Sequence, residues 1–208
     1  MGVVWTISAQ AGTGGEDVAA RLAVAAGVPL LDRKTLALFA HELNPLVTDG
    51  EELERRVGGP LNLAALSMAM TTGSLDAFQE LQLRQTLPEL GRAVLGTAAR
   101  RPCVIFAAAA FAALPEHPSA IHVRLRAPLD WRIANYQREH LVDRRCAEKK
   151  LKHDDHLRHK WVKTLYHVDV DESRRFSVVL DASRFAADRL VEILLAAGGV
   201  AAVEPVAV

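Results

Sequence analysis

The sequence predicts an α/β protein with a five-stranded parallel sheet and helices on both faces. Three observations support this prediction. Short apolar runs rich in β-branched residues recur along the chain, amphipathic segments with helical spacing separate them, and a glycine-rich loop follows the first run. The chain has 208 residues, of which 50% are hydrophobic and 24% charged, so it can build a substantial core. We therefore expect a single domain over residues 1–208.

The first predicted unit is a strand, a loop and a helix. Residues 3–8, VVWTIS, are typical of a strand buried on both faces of a sheet. The segment GEDVAARLAVAAG repeats Val18, Leu22 and Ala25 at helical spacing and stops at Gly27, a residue type that often caps helices. A second strand, VPLLD, and a second helix, RKTLALFAHEL, complete a βαβα pattern. Such a sheet binds ligands at the carboxyl ends of its strands.

The middle of the chain contains a polar loop and two helical segments. Residues 44–60 are polar and contain proline near both ends, which predicts a loop with one short helix. Residues 61–72 are too apolar for a freely exposed helix, so we expect them to be buried, either in the core or in a homodimer contact. The next helix covers residues 75–101, and Pro88 predicts a kink within it.

The second half of the chain adds three strands and three helices. The strands are predicted in the segments PCVIFAAA, AIHVRLRAP and FSVVLDAS. Two polar helices, LDWRIANYQREHL and DRRCAEKKLKHDDHLRHKWVKTLY, separate the last two strands, and AADRLVEILLAAG forms the closing helix. We expect residues 141–166 to act as a helical lid. The tail at 198–208 is either a frayed end or an extra edge strand.

Charge and composition restrict the classes of partner. Lysine and arginine balance aspartate and glutamate at 25 each, so no global basic field attracts nucleic acid or an acidic membrane. We expect neither partner. The two cysteines, Cys103 and Cys146, match no metal or redox spacing. No basic segment precedes the short apolar run at the N-terminus, and no apolar stretch reaches ~18 residues, which predicts a cytoplasmic protein.

The loop SAQAGTGGEDVAARL has the outline of a phosphate-binding loop. Such loops use backbone N–H groups to hold phosphates, a lysine to reach their oxygens and a hydroxyl to hold magnesium. Here Gly15 and Glu16 stand where the lysine and the hydroxyl are needed, so the strict motif fails. The candidate nucleotide-binding residues are Gly12, Thr13, Gly14, Gly15 and Glu16.

The chain resembles the cytidylate-kinase-like family, a branch of the nucleoside monophosphate kinases. The resemblance begins with TISAQAGTGGEDVAARLAVAAGVPLLDRKTL and continues through RPCVIFAAAAFAAL, VRLRAPLDWRIANY, AEKKLKHDDHLRHKWV and FSVVLDASRF. These five segments agree with the family in order and spacing over nearly the whole chain. The resemblance implies the P-loop nucleoside monophosphate kinase architecture with a helical lid.

The functional positions depart from the family pattern. Where the family has arginines in and after the glycine loop, this chain has Ala9 and Glu16. The family turn after the third strand carries an arginine and an aspartate that hold the acceptor nucleotide, and the turn here is built from Ala107, Ala108 and Phe111. An acceptor-binding arginine on the second helix corresponds to about Leu38. The resemblance therefore implies an acceptor site without its usual polar residues.

The surviving candidate catalytic residues lie in the second half of the chain. Arg132 and Arg158 match family arginines that approach the transferring phosphoryl group, which catalysis must stabilise electrostatically. Asp155 occupies the D-x-x-R position, where it orients Arg158 at helical spacing or acts as a base. The histidine-rich segment HDDHLRH fits a charged lid surface better than a metal site, because its outer histidines diverge around a helix. No metal-binding residue is predicted.

Two uses of the acidic residues after the loop remain open. In a capping box, Thr13 accepts a hydrogen bond from the N–H of residue 16, and Glu16 reaches back to the N–H of residue 13. That geometry occupies donors that a phosphate needs. Alternatively, Glu16 or Asp17 holds Mg²⁺, and the nucleotide binds together with the metal.

These observations give three functional hypotheses, of which the third is a protein that binds another small anion in the same cleft. The first is a degenerate cytidylate-kinase-like protein that is non-catalytic or binds nucleotide weakly, has a regulatory role and works through an unidentified protein partner or through itself. The second is an active kinase that transfers phosphate from ATP, with magnesium, to CMP or a similar nucleotide. No cofactor is certain from the sequence.

Overall fold

The architecture was determined from a computed structural model. It describes residues 2–32, 34–36 and 75–203, with side chains from residue 86 onward in the last range. The predicted loop at 44–60, the apolar segment at 61–72 and Leu38 lie outside the described residues. So does the end of the tail, from residue 204.

Five strands in the described part of the chain form one parallel sheet. They are β1 (Val4–Ala9), β2 (Leu30–Leu31), β3 (Cys103–Phe106), β4 (Ala120–Arg126) and β5 (Val178–Asp181). Their order is β2-β3-β1-β4-β5, and each neighbouring pair is parallel. The first strand is central, as the sequence predicts, and its central position buries its residues on both faces of the sheet.

Helices connect the strands and cover the sheet. The described helices are α1 (Gly15–Ala26), α2 (Leu75–Ala98), α3 (Ala110–Ala113), α4 (Leu129–His140), α5 (Arg144–Tyr166) and α6 (Ala187–Ala197), and residues 34–36 form a short helical turn. Pro88 lies within α2. The long helix α5 occupies most of the predicted lid segment at 141–166. Among the described helices, none combines the length and the apolar character needed to cross a membrane.

Two apolar layers lie on opposite faces of the sheet. Trp5 and Ile7 of β1 face α1 and α6, where Leu22 and Leu194 are completely buried. The Trp5 indole N–H donates a hydrogen bond to the Leu194 carbonyl over 3.1 Å. Val4 faces the other way, toward a layer that contains residues of α2 and α3. Because successive side chains of a strand point to opposite faces, β1 packs against helices on both faces of the sheet.

Candidate functional site: the glycine loop and its two arginines

The glycine loop joins the carboxyl end of β1 to the start of α1. Gly12 and Gly14 adopt left-handed backbone conformations, with φ of 78° and 71°. Gly15 opens α1 next to the last residue of β1, so closely that a Cβ at this position would lie 2.4 Å from the Ala9 Cβ. These glycines let the chain turn sharply from a buried strand into a helix. The loop is therefore at the position where parallel α/β sheets bind ligands.

The first turn of α1 has backbone donors that find no partner in the described part of the chain. Gly14 is the N-cap residue and supplies no side chain. The N–H groups of Gly15, Glu16 and Asp17 donate to no residue in the described ranges. Free N–H groups and the positive end of the helix dipole favour an anion at such a terminus.

The capping box predicted at Thr13 and Glu16 is wrong. The Thr13 hydroxyl donates to the Gln10 carbonyl over 2.7 Å, so it closes the preceding turn instead of accepting from α1. Thr13 is buried, whereas Glu16 is exposed to solvent. Gly14 is the N-cap, because its carbonyl accepts from the Val18 N–H over 3.1 Å, so Thr13 lies one residue before the capping position.

Arg132 of α4 and Asp155 of α5 together hold the Ala11 peptide. The Arg132 guanidinium donates to the Ala11 carbonyl over 3.0 Å and to the Ala127 carbonyl over 3.1 Å. Asp155 accepts from the Ala11 N–H over 3.1 Å and pairs with Arg132 over 2.6 Å. Because the arginine side chain is only 7% exposed, this ion pair is a buried part of the loop's support.

Further side chains fix the rest of the loop. Arg158 of α5 donates to the Ala9 carbonyl over 2.6 Å, and its guanidinium lies 3.8 Å from Asp155. Asn135 of α4 donates to the Gly12 carbonyl over 3.2 Å. The Gln10 amide oxygen accepts from the Ala127 N–H over 3.1 Å. Both arginines predicted to approach a phosphoryl group therefore lie at the loop and contact its carbonyl oxygens.

The two acidic residues of α1 lie at the mouth of the same loop. Glu16 and Asp17 both fall in the first turn of the helix. Asp17 pairs with Arg21 over 2.8 Å, and Arg21 also pairs with Asp188 of α6 over 2.8 Å. Asp17 is therefore engaged by a neighbouring cation, while Glu16 is an exposed carboxylate in the same helical turn.

The turn after β3 is apolar, as its sequence indicates. Ala108 is partly buried, and Phe111 is 2% exposed. The Phe111 ring packs against Phe176, with ring centroids 4.5 Å apart. This turn corresponds to the acceptor-holding segment in the family pattern, and its side chains contribute to a hydrophobic cluster.

A row of buried polar residues runs along β1 and β4. The Thr6 hydroxyl lies 2.7 Å from the His122 Nδ1, and burial lowers the pKa of that histidine. The Arg124 guanidinium donates to the Ser8 hydroxyl over 3.1 Å and pairs with Asp171 over 2.7 Å. Thr6 and His122 are register partners in β1 and β4, and so are Ser8 and Arg124. Both buried side-chain contacts therefore join the same two strands.

A residue of α5 and two residues of the segment after it form a trio of metal-ligand residue types. In the described ranges, ligand atoms of His159, Asp169 and Asp171 lie within 4.8 Å of one another. Asp171 already pairs with Arg124. His153 and His156, from the histidine-rich segment of the sequence, are not part of this trio.

The fold and the loop define a P-loop type kinase architecture. A family model described as the cytidylate kinase-like family matches residues 4–184. The chain belongs to the cytidylate kinase-like family. A search of curated proteins gave no match.

Solved structures show the same fold at low sequence identity. A protein from Eubacterium ventriosum is 16% identical, with a TM-score of 0.65 over 94% of this chain and 97% of its own. A Thermus thermophilus protein is 22% identical, with a TM-score of 0.51 over 94% and 95%. The tunicamycin resistance protein of Deinococcus radiodurans is 14% identical, with a TM-score of 0.50 over 98% and 99%. At these sequence identities, the similarity to the solved structures concerns the fold alone.

Sequence reasoning missed three residues of this site. Gln10 and Asn135 support the loop, and Arg124 is a buried cation under the carboxyl end of the sheet. Asn135 follows Arg132 by three residues, a spacing that places both on one helix face and could have indicated a shared partner. Arg124 alternates with apolar residues in β4, so its inward direction could have been read from the strand period.

Proposed function

We propose that this chain is a weak nucleotide-binding, non-catalytic member of its family with a regulatory role. The observation that carries the proposal is the apolar acceptor turn, where Phe111 packs against Phe176. Phosphoryl transfer requires donor and acceptor to be held in line. A turn built from Ala107, Ala108 and Phe111 offers no side-chain cation or carboxylate to orient an acceptor.

The donor side supports phosphate binding through the backbone. Gly15, Glu16 and Asp17 present N–H groups without partners among the described residues, and Gly14 shapes the loop around them. A phosphate of ATP fits such a set of donors. Glu16 opposes this binding because its carboxylate lies in the same helical turn. We therefore expect weak affinity for nucleoside triphosphates.

The arginines support the non-catalytic reading. Arg132 is neutralised by Asp155 and donates to two backbone carbonyls, and Arg158 donates to Ala9. Each arginine thus commits at least one of its N–H donors to the loop region, and Arg132 also shares its charge with Asp155. In this arrangement, both stabilise the loop.

The second candidate function is an active nucleoside monophosphate kinase that uses ATP and magnesium. The location of Arg132 and Arg158 favours it, because both side chains lie at the phosphate loop. Asp17 already pairs with Arg21, so Glu16 is the better candidate of the two carboxylates for a magnesium ligand. In this alternative, Asp155 would orient the arginines.

One experiment separates the two functions. ATP affinity is measured by calorimetry with and without Mg²⁺, and CMP phosphorylation is measured in parallel. The wild type should bind ATP weakly and show no turnover above background. Glu16→Arg should tighten ATP binding about fivefold or more, since it replaces a like charge with an opposite one near the phosphates, and turnover should remain absent.

Two variants control for general charge and for shape. Glu116→Arg makes the same charge change in the loop before β4. This loop lies at the amino ends of the strands, away from the glycine loop, so ATP affinity should stay unchanged. Glu16→Gln should give an intermediate gain. Ala9→Arg is unsuitable for this purpose, because Ala9 is buried in the core beside Gly15. Robust wild-type turnover with Mg²⁺ would replace the first proposal with the second.

We further propose that the protein acts in the cytoplasm, through an unidentified protein partner or as a homodimer that uses residues 61–72. Sedimentation velocity tests the dimer: a concentration-dependent dimer that Leu63→Glu disrupts supports it. A monomer at all concentrations contradicts it.

A further inference from the structure

The expectation of no nucleic-acid partner depends on the balance of charge over the whole chain, but these charges are unevenly distributed. Helix α5 contains eight lysines and arginines against three acidic residues. The permanent cations are Arg144, Arg145, Lys149, Lys150, Lys152, Arg158, Lys160 and Lys163. The helix therefore carries a net positive charge that the rest of the chain offsets.

Seven basic residues fall on one side of this helix. With about 100° per residue, a sector of roughly 100° contains only basic residues. We call this set the basic stripe, and it consists of Arg145, Lys149, Lys152, His153, His156, Lys160 and Lys163. All are solvent-exposed except Lys160, which is partly exposed. The stripe extends over about 27 Å at ~1.5 Å per residue.

The basic stripe points away from the glycine loop. Asp155 and Arg158 contact the loop, and Leu151 and Val162 are fully buried against the protein. In the same helical projection, Leu151, Arg158 and Val162 lie on the opposite side of α5, and Asp155 lies between that side and the stripe. The stripe therefore has no part in holding the loop, and the inference drawn from it does not rest on the proposed nucleotide site.

The stripe is poorly neutralised by the protein itself. Lys152 pairs with Glu148 over 2.6 Å. Arg145, Lys149, Lys160 and Lys163 form no ion pair with any residue of the described ranges. Like charges at helical spacing repel one another and destabilise a helix. Helix stability alone therefore does not favour this arrangement, and an external polyanion would relieve the repulsion.

We propose that the basic stripe binds the phosphate backbone of duplex nucleic acid without reading its sequence. A straight row of cations about 27 Å long spans roughly eight base-pair steps of a duplex, which carries one negative charge per ~1.7 Å of its axis. The stripe's sector contains no phenylalanine, tyrosine or tryptophan, so it lacks the large stacking surface that single-strand binders use. Contacts to phosphates alone give affinity and register without base specificity.

Two other polyanions fit the stripe less well. A helix that binds a membrane surface inserts an apolar face beside its cations. The apolar face of α5 is buried in the protein, and the exposed Leu141 before the helix is one isolated side chain. An acidic protein segment has no fixed charge spacing, whereas a duplex presents regular phosphates to a rigid row of cations.

Binding to a fluorescent 20-base-pair duplex tests the proposal, with poly-glutamate and phosphatidylserine vesicles as competing probes. Affinity is measured by anisotropy from 50 to 200 mM salt. We expect micromolar or weaker binding at physiological salt, and a log–log salt slope of about −0.9 for each phosphate contacted. The duplex should bind more tightly than poly-glutamate or vesicles.

The variants compare equal charge changes at two places. Arg145→Gln, Lys149→Gln and Lys163→Gln, combined, should weaken binding about tenfold or more at 50 mM salt and reduce the slope by nearly three. Arg100→Gln, Arg101→Gln and Arg189→Gln, combined, also remove three exposed cations, but away from α5, and should change binding less than twofold. The charge-preserving set Arg145→Lys, Lys149→Arg and Lys163→Arg should bind like the wild type.

Three outcomes would overturn the proposal. They are no wild-type binding to the duplex at 50 mM salt, an equal loss in the stripe and control variants, and tighter binding of poly-glutamate or vesicles than of the duplex. The wild-type salt slope provides a test that does not depend on the folding of any variant.

Discussion

Arg132 and Asp155 form a largely buried ion pair, with Nη1 of the arginine 2.6 Å from Oδ2 of the carboxylate. Both partners also bind the Ala11 peptide, the arginine at its carbonyl and the aspartate at its N–H. The pair therefore connects α4, α5 and the glycine loop through one residue of the loop. The ion pair therefore helps to fix the position of the loop that leads into the first turn of α1.

Asp155→Asn should destabilise the protein by about 2 kcal/mol or more. The change leaves the Arg132 guanidinium buried without its counter-charge and weakens the acceptor for the Ala11 N–H. Asp154→Asn is the matched control on the neighbouring residue, because Asp154 pairs with a half-exposed Lys150 and should contribute less than about 1 kcal/mol. Urea unfolding measures both. Equal effects of the two variants would contradict a special role for the buried pair.

Gly15→Ala should destabilise the protein more than Gly14→Ala. A Cβ at residue 15 would lie 2.4 Å from the Ala9 Cβ, so the strand end or the helix must shift, at roughly 1–3 kcal/mol. A Cβ at residue 14 would meet no atom within 4 Å. The cost of Gly14→Ala is therefore only that of holding alanine in a left-handed backbone conformation, about 1–2 kcal/mol. Chemical denaturation orders the two variants, and the reverse order would show that the loop moves freely away from Ala9.

Stability should fall as the pH decreases below about 6.5, and His122 should contribute to this loss. Burial lowers the pKa of His122 in the folded protein, whereas the unfolded chain titrates near 6.5. The unfolded state therefore binds the proton first, which favours unfolding as the pH falls. Thermal unfolding from pH 7.5 to 5 measures the effect.

His122→Asn provides the test of that assignment. The asparagine oxygen can accept from the Thr6 hydroxyl but does not titrate, so the pH dependence should become shallower. His156→Asn, at an exposed position of α5, should leave the slope unchanged. Identical slopes for wild type and His122→Asn would assign the pH dependence to other groups.

At pH 8, one thiol per folded chain should react quickly with iodoacetamide. Burial raises the pKa of Cys103 to about 11, so its reactive thiolate is scarce, and the side chain is closed to solvent. Cys146 is exposed at the start of α5. Mass spectrometry after timed labelling should show that Cys146→Ser abolishes the fast reaction and that Cys103→Ser preserves it. Rapid labelling of Cys103 would indicate local opening of β3.

The sequence predicted the sheet well because strand and helix periods record burial directly. The predicted first strand at 3–8 corresponds to β1 at Val4–Ala9, and its central position follows from apolar residues on both sides. The closing helix was equally clear, since its leucines recur on one face. These elements depend on local patterns, which the sequence contains in full.

The site was harder to predict because its contacts join distant parts of the chain. Arg132 contacts Ala11 across 121 residues, and Arg158 contacts Ala9 across 149. Nothing in the local sequence shows that a loop carbonyl will face a guanidinium. The capping prediction at Thr13 failed for a related reason, because two glycines gave the loop a backbone path that residue spacing does not specify.

The central position of β1 also affects how this chain folds during synthesis. Val4 pairs with Cys103 on one side and with Ala120 on the other, so β1 is synthesised about a hundred residues before either of its partner strands. At ~5–20 residues per second, the ribosome needs roughly 5–20 seconds to supply β3. Non-local parallel pairing is slow, and an unpaired apolar strand is prone to aggregate. Helix α1 follows β1 directly in the chain and packs against it, so it can cover one face of β1 before β3 has been made.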